Sequence, residues 1–237
     1  MKKVLIMPVL AAMLVAAACG EDGPTGEDTT ASVRFFNATT GMTGSGGFTT
    51  NGQFAAGSAL AYGQSTQSCA TVDAGSASFG FGAADAGGTA LSGAALATLD
   101  DQTMTAGGDV TVVAAGPAAG PTLFLLDNTF PGPLATNQAA VRFVNLAPEA
   151  PLLFNVFLGV LGSGGTMAAP NIAVGAPTGY ATVTSGSNAF TILNGHNIVI
   201  SGNAATLVLP AGSVNTVAIV PGATAGSYQL VNIPRCS

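Results

Sequence analysis

Along residues 139–233, short runs rich in Val, Ile, Phe, Thr and Tyr are separated every few positions by clusters of Gly, Pro, Asn and Ser. That rhythm predicts β-strands joined by tight turns. β-Branched and aromatic side chains suit a pleated surface, and the small polar residues supply the turns. The runs fall at residues 139–146, 153–159, 179–184, 189–193, 197–209 (broken near Gly202), 215–220 and 227–233. In the second run Phe154, Val156 and Leu158 alternate with Leu153, Asn155 and Phe157, so one face is apolar throughout and the other is mixed. Seven short strands at this spacing imply an Ig-like antiparallel β-sandwich. Residues 41–63, rich in Gly, Ser, Thr and Ala, blur the pattern; one strand is placed there, at 48–54.

The pattern occurs twice. Val33-Arg34-Phe35-Phe36-Asn37 returns as Val141-Arg142-Phe143-Val144-Asn145 at an offset of 108, and Ala70-Thr71-Val72 returns as Ala181-Thr182-Val183 at 111. Val113-Ala114 and Pro117 match Val217-Ala218 and Pro221 at 104, as do Leu126 and Asn128 with Leu230 and Asn232. Drifting offsets are what loop insertions between related strands produce, and a unit of this length fits a sandwich domain rather than a solenoid repeat. The expected fold is therefore all-β. Two tandem Ig-like antiparallel sandwich domains, residues 31–136 and 137–237, follow a signal peptide and a short acidic tether.

The signal occupies residues 1–18. Lys2 and Lys3 form a basic start, residues 4–17 are almost wholly apolar, and Ala16-Ala17-Ala18 leads to Cys19. The apolar stretch is too short for a spanning helix. The arrangement resembles the bacterial lipobox, although Ala16 stands where leucine is usual. That resemblance implies acylation of Cys19 and a lipid anchor without a transmembrane helix. The alternative is ordinary cleavage after Ala18 with Cys19 left as a free thiol. Residues 19–30 then form the anchored tether, in which Glu21, Asp22, Glu27 and Asp28 sit among Gly, Pro and Thr and cannot bury apolar surface.

Charge narrows the function. Beyond residue 18 there is no lysine. Arg34, Arg142 and Arg235 are the cations there, against eleven acidic residues, a formal charge of −8. Nucleic-acid binding needs a basic face, and a Walker-type phosphate loop needs a lysine, so both are excluded as expectations. A membrane barrel would need strands of about ten residues with aromatic girdles; the chain has no tryptophan and three tyrosines.

Val141-Arg142-Phe143-Val144-Asn145, the turn Ala147-Pro148-Glu149-Ala150-Pro151, the strand Phe154-Asn155-Val156-Phe157-Leu158-Gly159 and the step Gly179-Tyr180-Ala181-Thr182-Val183 with Gly186 together resemble the domain-of-unknown-function family 4397. The resemblance spans most of residues 139–233 and extends more faintly to 31–128, where Ala38-Thr39-Thr40-Gly41 replaces the proline turn. It implies an Ig-like sandwich on an exported or surface protein and brings no activity with it.

Candidate chemistry is sparse. His196 is the sole histidine, in an expected turn, and no G-x-S-x-G elbow accompanies it. Paired zinc motifs and calcium loops are missing from the sequence, and Asp100-Asp101 reads as a solvated turn. No catalytic, metal or cofactor site is expected. Gly44-Ser45-Gly46-Gly47 and Gly162-Ser163-Gly164-Gly165 read as loops. Arg34 and Arg142 lie mid-strand among apolar neighbours; they read as outward or rim residues bonding carboxylates or carbonyls, with a ligand clamp as the alternative. With Cys19 consumed by lipid, Cys69 and Cys236 remain as a pair able to close a loop of 168 residues, the alternative being two free thiols. The chain thus reads as a non-catalytic envelope lipoprotein, structural, adhesive or protein-binding. It would be held on a bacterial membrane, the outer one as the expectation, and partnered by other envelope proteins or surface glycans. A carbohydrate- or small-ligand-binding role is the alternative, with Tyr62, Tyr180 and Tyr228 as stacking candidates. A hydrolase built on His196 is the remotest reading.

Overall fold

The structure is a computed structural model and describes residues 29–148, 153–159, 166–194 and 199–236. Residues 1–28, which hold the expected signal and Cys19, lie outside the described residues, as do Glu149 to Pro151, Gly162 to Gly165 and His196. The first half contains β1 (Thr30–Thr40), β2 (Gly46–Thr50), β3 (Gln53–Phe54), β4 (Gln64–Ser65), β5 (Ala70–Asp73), β6 (Gly75–Ala83), β7 (Ala97–Met104), β8 (Asp109–Pro117) and β9 (Thr122–Asp127). The second contains β10 (Gln138–Asn145), β11 (Phe154–Leu158), β12 (Thr166–Ile172), β13 (Ala181–Thr184), β14 (Gly186–Asn194), β15 (Val199–Leu209), β16 (Val214–Pro221) and β17 (Tyr228–Pro234). The protein is all-β and built of sandwiches.

Each half packs two sheets. In the first, β3-β2-β6-β7 faces β4-β1-β8-β9, with β5 also on β1; in the second, β12-β11-β14-β15 faces β13-β10-β16-β17. Most pairs are antiparallel, but β1 and β8 run parallel, as do β10 and β16. Val33, Phe35, Phe48, Phe79, Phe81 and Val112 fill the first core. Val141, Phe143, Phe154, Phe190, Ile192 and Val217 fill the second.

A third core joins the halves. Phe36, Ala38, Val113, Ala115 and Leu126 meet Val144, Leu146, Ala218, Val220 and Ile233. Alternation along a strand explains how one strand serves two cores. On β1, Val33 and Phe35 point into the first sandwich while Phe36 and Ala38 point to the other half. On β10, Val141 and Phe143 point into the second sandwich while Val144 points back. The two central sheets are therefore covered on both faces, and the four sheets stack as layers. Double coverage accounts for the nearly unbroken burial along β1, β8, β10 and β16, since strands covered on both faces lose the alternation of buried and exposed positions.

Several sequence expectations change here. The single strand placed at 48–54 is a hairpin: β2 and β3 are joined by Asn51-Gly52, whose φ angles of 49° and 77° give the doubly left-handed turn that Asn-Gly favours. Gly46 and Gly47 lie in β2 rather than a loop, because a Cβ on Gly46 would stand 2.4 Å from the Phe81 ring. The second half has eight strands, not seven. β12 was missed because Thr166–Ile172 carries Pro170 and alanines in place of aromatic residues. β15 runs unbroken in the backbone past Gly202, with its pairing to β14 shifted between Thr191 and Leu193. Asp100 and Asp101 sit within β7 beside a similar shift, not in a turn.

The repeat register also differs from the sequence match. Arg34 lies beside Thr111 and Arg142 beside Thr216, so β8 and β16 correspond at 105 residues. Val113 therefore answers Ala218, and both face the joint core. The match at 104 is a one-residue slip, which puts side chains on the wrong face. Likewise Leu126 pairs with Thr111 and Ile233 with Thr216, so Leu126 answers Ile233 and Asn128 answers Arg235.

Candidate functional site

β1, β8, β10 and β16 all begin at one end of the stack, where a polar seam closes the joint core. Arg34 shares a β1 face with Phe36, and Arg142 shares a β10 face with Val144, so both guanidinium groups enter the space between the halves. They are buried, at 7% and 5% exposure, which corrects the expectation of outward or rim positions. That expectation failed because it assumed that each sheet has one wet face.

Arg142 is fully engaged. Its Nε donates to Thr216 Oγ1 at 2.9 Å, Nη1 to the Asp127 carbonyl at 2.5 Å and Nη2 to Asn128 Oδ1 at 2.8 Å. The guanidinium lies 4.8 Å from the centre of the Tyr180 ring, a cation–π geometry. Tyr180 packs edge-on against Phe130 and donates its hydroxyl to the Asn128 carbonyl at 3.4 Å. Arg34 makes the mirrored reach with fewer bonds. It donates to the Thr66 carbonyl and, at 3.4 Å, to the Arg235 carbonyl. Its Nε is buried with no hydrogen-bond partner among the described residues. The hydroxyl that would answer it, Thr111 Oγ1, accepts instead from Asn128 Nδ2 at 3.0 Å.

The third arginine completes the seam. Arg235 Nε meets Asp109 Oδ2 at 3.1 Å, and Asp109 Oδ1 accepts from Asn128 Nδ2 at 2.8 Å. All three arginines of residues 19–237 thus gather around one buried carboxylate, Asp109. Burial holds both Arg34 and Arg142 below the ordinary guanidinium value, opposed at Arg34 by the charge of Asp109 and at Arg142 by Tyr180, Asp127 and Asp109 in that order. Burial likewise pushes the Tyr180 hydroxyl up, with Arg142 pulling the other way. At the seam's margin, hydrogen bonds from the Thr129 hydroxyl and backbone hold Asp127 below its usual range.

Cys69 and Cys236 are bonded, with their Cα atoms 5.9 Å apart. The bridge ties the end of β17 to the strand that flanks β1, and so crosses between the halves. On the other side of the seam Tyr180, the counterpart of Cys69, reaches Asn128 and Phe130 without a covalent bond. Sequence reasoning missed Asp109 and Asn128 and passed over Arg235, although scarcity was a usable signal: three cations in so acidic a chain invited a search for one shared partner.

Two grooves open beside the seam at corresponding places in the halves. The first, about 300 Å³, is lined by Thr103, Thr105, Asp109, Asp127 and Thr129. The second, about 660 Å³, is lined by Val208, Ser213, Asn215, Asn232, Arg235 and others. The tyrosines proposed for sugar stacking are occupied elsewhere. Tyr62 donates to the Pro221 carbonyl at 2.6 Å, Tyr180 lies against Arg142, and Tyr228 packs on Phe154 at 4.8 Å between ring centres.

Residues 31–156 match the family described as "Domain of unknown function (DUF4397)", and the chain belongs to it. The matched region begins at β1 and ends in β11, covering the half in which the sequence motifs were faintest. No curated protein matches the chain. Among solved structures, "The Bacillus anthracis TIE protein" is 6% identical with a TM-score of 0.26; the likeness covers 81% of this chain and 34% of that one, so the chain spans about a third of its length. The family CBM26 domain CBMbc of Eubacterium rectale Amy13K, solved in complex with maltoheptaose, is 9% identical with a TM-score of 0.26, covering 86% of this chain and 96% of that one.

Proposed function

We propose that this protein is a non-catalytic lipoprotein of the bacterial cell envelope, anchored through acylated Cys19 and presenting two tandem sandwich domains as one rigid structural, adhesive or protein-binding body. The observation that carries the reading is the Cys69–Cys236 bridge. Disulfides persist outside the reducing cytoplasm, and this one uses both cysteines of the folded region and leaves Cys19 as the third. An apolar segment that ends in small residues before Cys19 supplies the route of export. The partner is the membrane through the anchor, with other envelope proteins as the class bound by the folded body and no nucleic acid.

The non-catalytic part rests on the seam, where the buried polar groups bond mainly to one another and lock the halves together. The packing of Tyr62, Tyr180 and Tyr228 favours the interaction-module reading over carbohydrate stacking. Metabolic labelling with a fatty-acid analogue tests the anchor. The wild type should be tagged and Cys19→Ala should not; a labelled alanine variant, or an unlabelled wild type in a lipidating host, contradicts the proposal.

A further inference from the structure

We propose that the larger groove, beside Arg235, binds a small organic carboxylate with an apolar body. The site goes beyond the envelope role and does not depend on the lipid anchor. The groove lies where β15 and β17 end and β16 begins, and its volume of about 660 Å³ is that of a small-ligand site. Arg235 supplies the charge. Its Nε is committed to Asp109 Oδ2 at 3.1 Å and to the Cys236 carbonyl at 3.4 Å, which orients the guanidinium. The two Nη atoms have no hydrogen-bond partner among the described residues, on a side chain 41% exposed that lines the groove. Such a pair forms the fork that takes a carboxylate through two parallel bonds.

The fork is also preorganised. The Arg235 carbonyl is held by Arg34 Nη2, the next residue is fixed by the disulfide, and β17 is paired along its length to β16. Holding a charged group in place beforehand lowers the ordering cost of binding. The remaining lining describes the rest of the ligand. Val208, 70% exposed, stands with Pro210, Val214 and Pro234 as an apolar wall, and Ser213 and Asn215 add polar contacts. A monoanion suits the site better than a phosphate dianion, because Asp109 already neutralises part of the Arg235 charge and the chain as a whole is acidic. The corresponding groove of the first half is the opposite case. Asp109 and Asp127 line it, so it repels the same ligand.

Benzoate, benzamide and phenyl phosphate test the proposal as probes, titrated into the isotope-labelled exported chain carrying Cys19→Ser, with the disulfide intact. Benzoate should shift the amide signals of Val208, Ser213 to Asn215, Asn232, Ile233, Arg235 and Cys236, and should bind at least about fivefold more tightly than its neutral amide. Arg235→Gln should abolish that preference. Ser213→Asp, which adds a charge to the groove from a partly exposed turn and leaves the Asp109 ion pair in place, should weaken benzoate and spare benzamide even if Arg235→Gln fails to fold. Equal binding of benzoate and benzamide overturns the proposal, as does a preference that survives both substitutions or a set of shifts centred on Asp127. Tighter binding of phenyl phosphate at the same amides overturns the assignment to carboxylates.

Discussion

Replacing Arg142 with methionine removes a buried guanidinium and keeps most of its stem. Three acceptors are stranded: Thr216 Oγ1, the Asp127 carbonyl and Asn128 Oδ1. A buried acceptor without its donor costs about 1–3 kcal/mol, and the lost contact with Tyr180 adds about 1 kcal/mol. Against this, the thioether needs no desolvation of charge, the Thr216 hydroxyl can turn, and Asn128 keeps its bond to Asp109. The net loss should be about 3 kcal/mol. Arg34→Met should behave differently despite the matching position. Arg34 reaches two carbonyls, one of them at the long distance of 3.4 Å, and its Nε is buried without a partner among the described residues, so methionine relieves a penalty. The Arg235 segment it supports is also held by the disulfide. A loss of about 1 kcal/mol follows. Urea denaturation of both variants with the bridge intact measures the two values, provided the denaturant slope stays constant. Equal losses at the two sites, or a larger one at Arg34, would refute the reasoning.

Two further outcomes follow from the seam. Cys69→Ser combined with Cys236→Ser should lower stability by up to roughly 5 kcal/mol, the chain-entropy value for a bridge at a sequence separation of 167; small-angle scattering should show unchanged dimensions, because the joint core persists. Tyr180 gives an alkaline signature. Its folded pKa is raised by burial, so its contribution to stability is complete below the ordinary tyrosine value and is lost as pH rises through the folded value. Melting curves from pH 8 to 11.5 should therefore fall more steeply for the wild type than for Tyr180→Phe, and parallel curves would contradict the burial of that hydroxyl.

The strands were legible where β-branched and aromatic residues crowd together, as in Val214–Pro221 and Tyr228–Pro234. They were illegible where glycine, alanine and proline carry the backbone, as in β2 and β12, because there the neighbouring strand supplies what local preference does not. The Cys69–Cys236 bond agrees with the expectation drawn from cysteine parity and from the compartment that a signal segment would imply. The burial of Arg34 and Arg142 did not follow, yet its trace was present. Val33-Arg34-Phe35-Phe36 and Val141-Arg142-Phe143-Val144 lack a polar face, the mark of a sheet covered on both sides. An arginine in such a strand has to find its partners inside. Asp109 opens β8 and Asn128 directly follows β9, both in the first half, and the face-to-face stacking of the two halves brings them to Arg142.

If the halves share a core, they should unfold together. Scanning calorimetry of residues 19–237 tests this directly. One transition is expected, with calorimetric and van't Hoff enthalpies equal, because separating the halves would expose Phe36, Leu126, Val144 and Ile233 and strand the seam arginines. Two resolved transitions, each carrying about half the heat, would mean that the sandwiches are independent and that the joint core contributes little to holding them together.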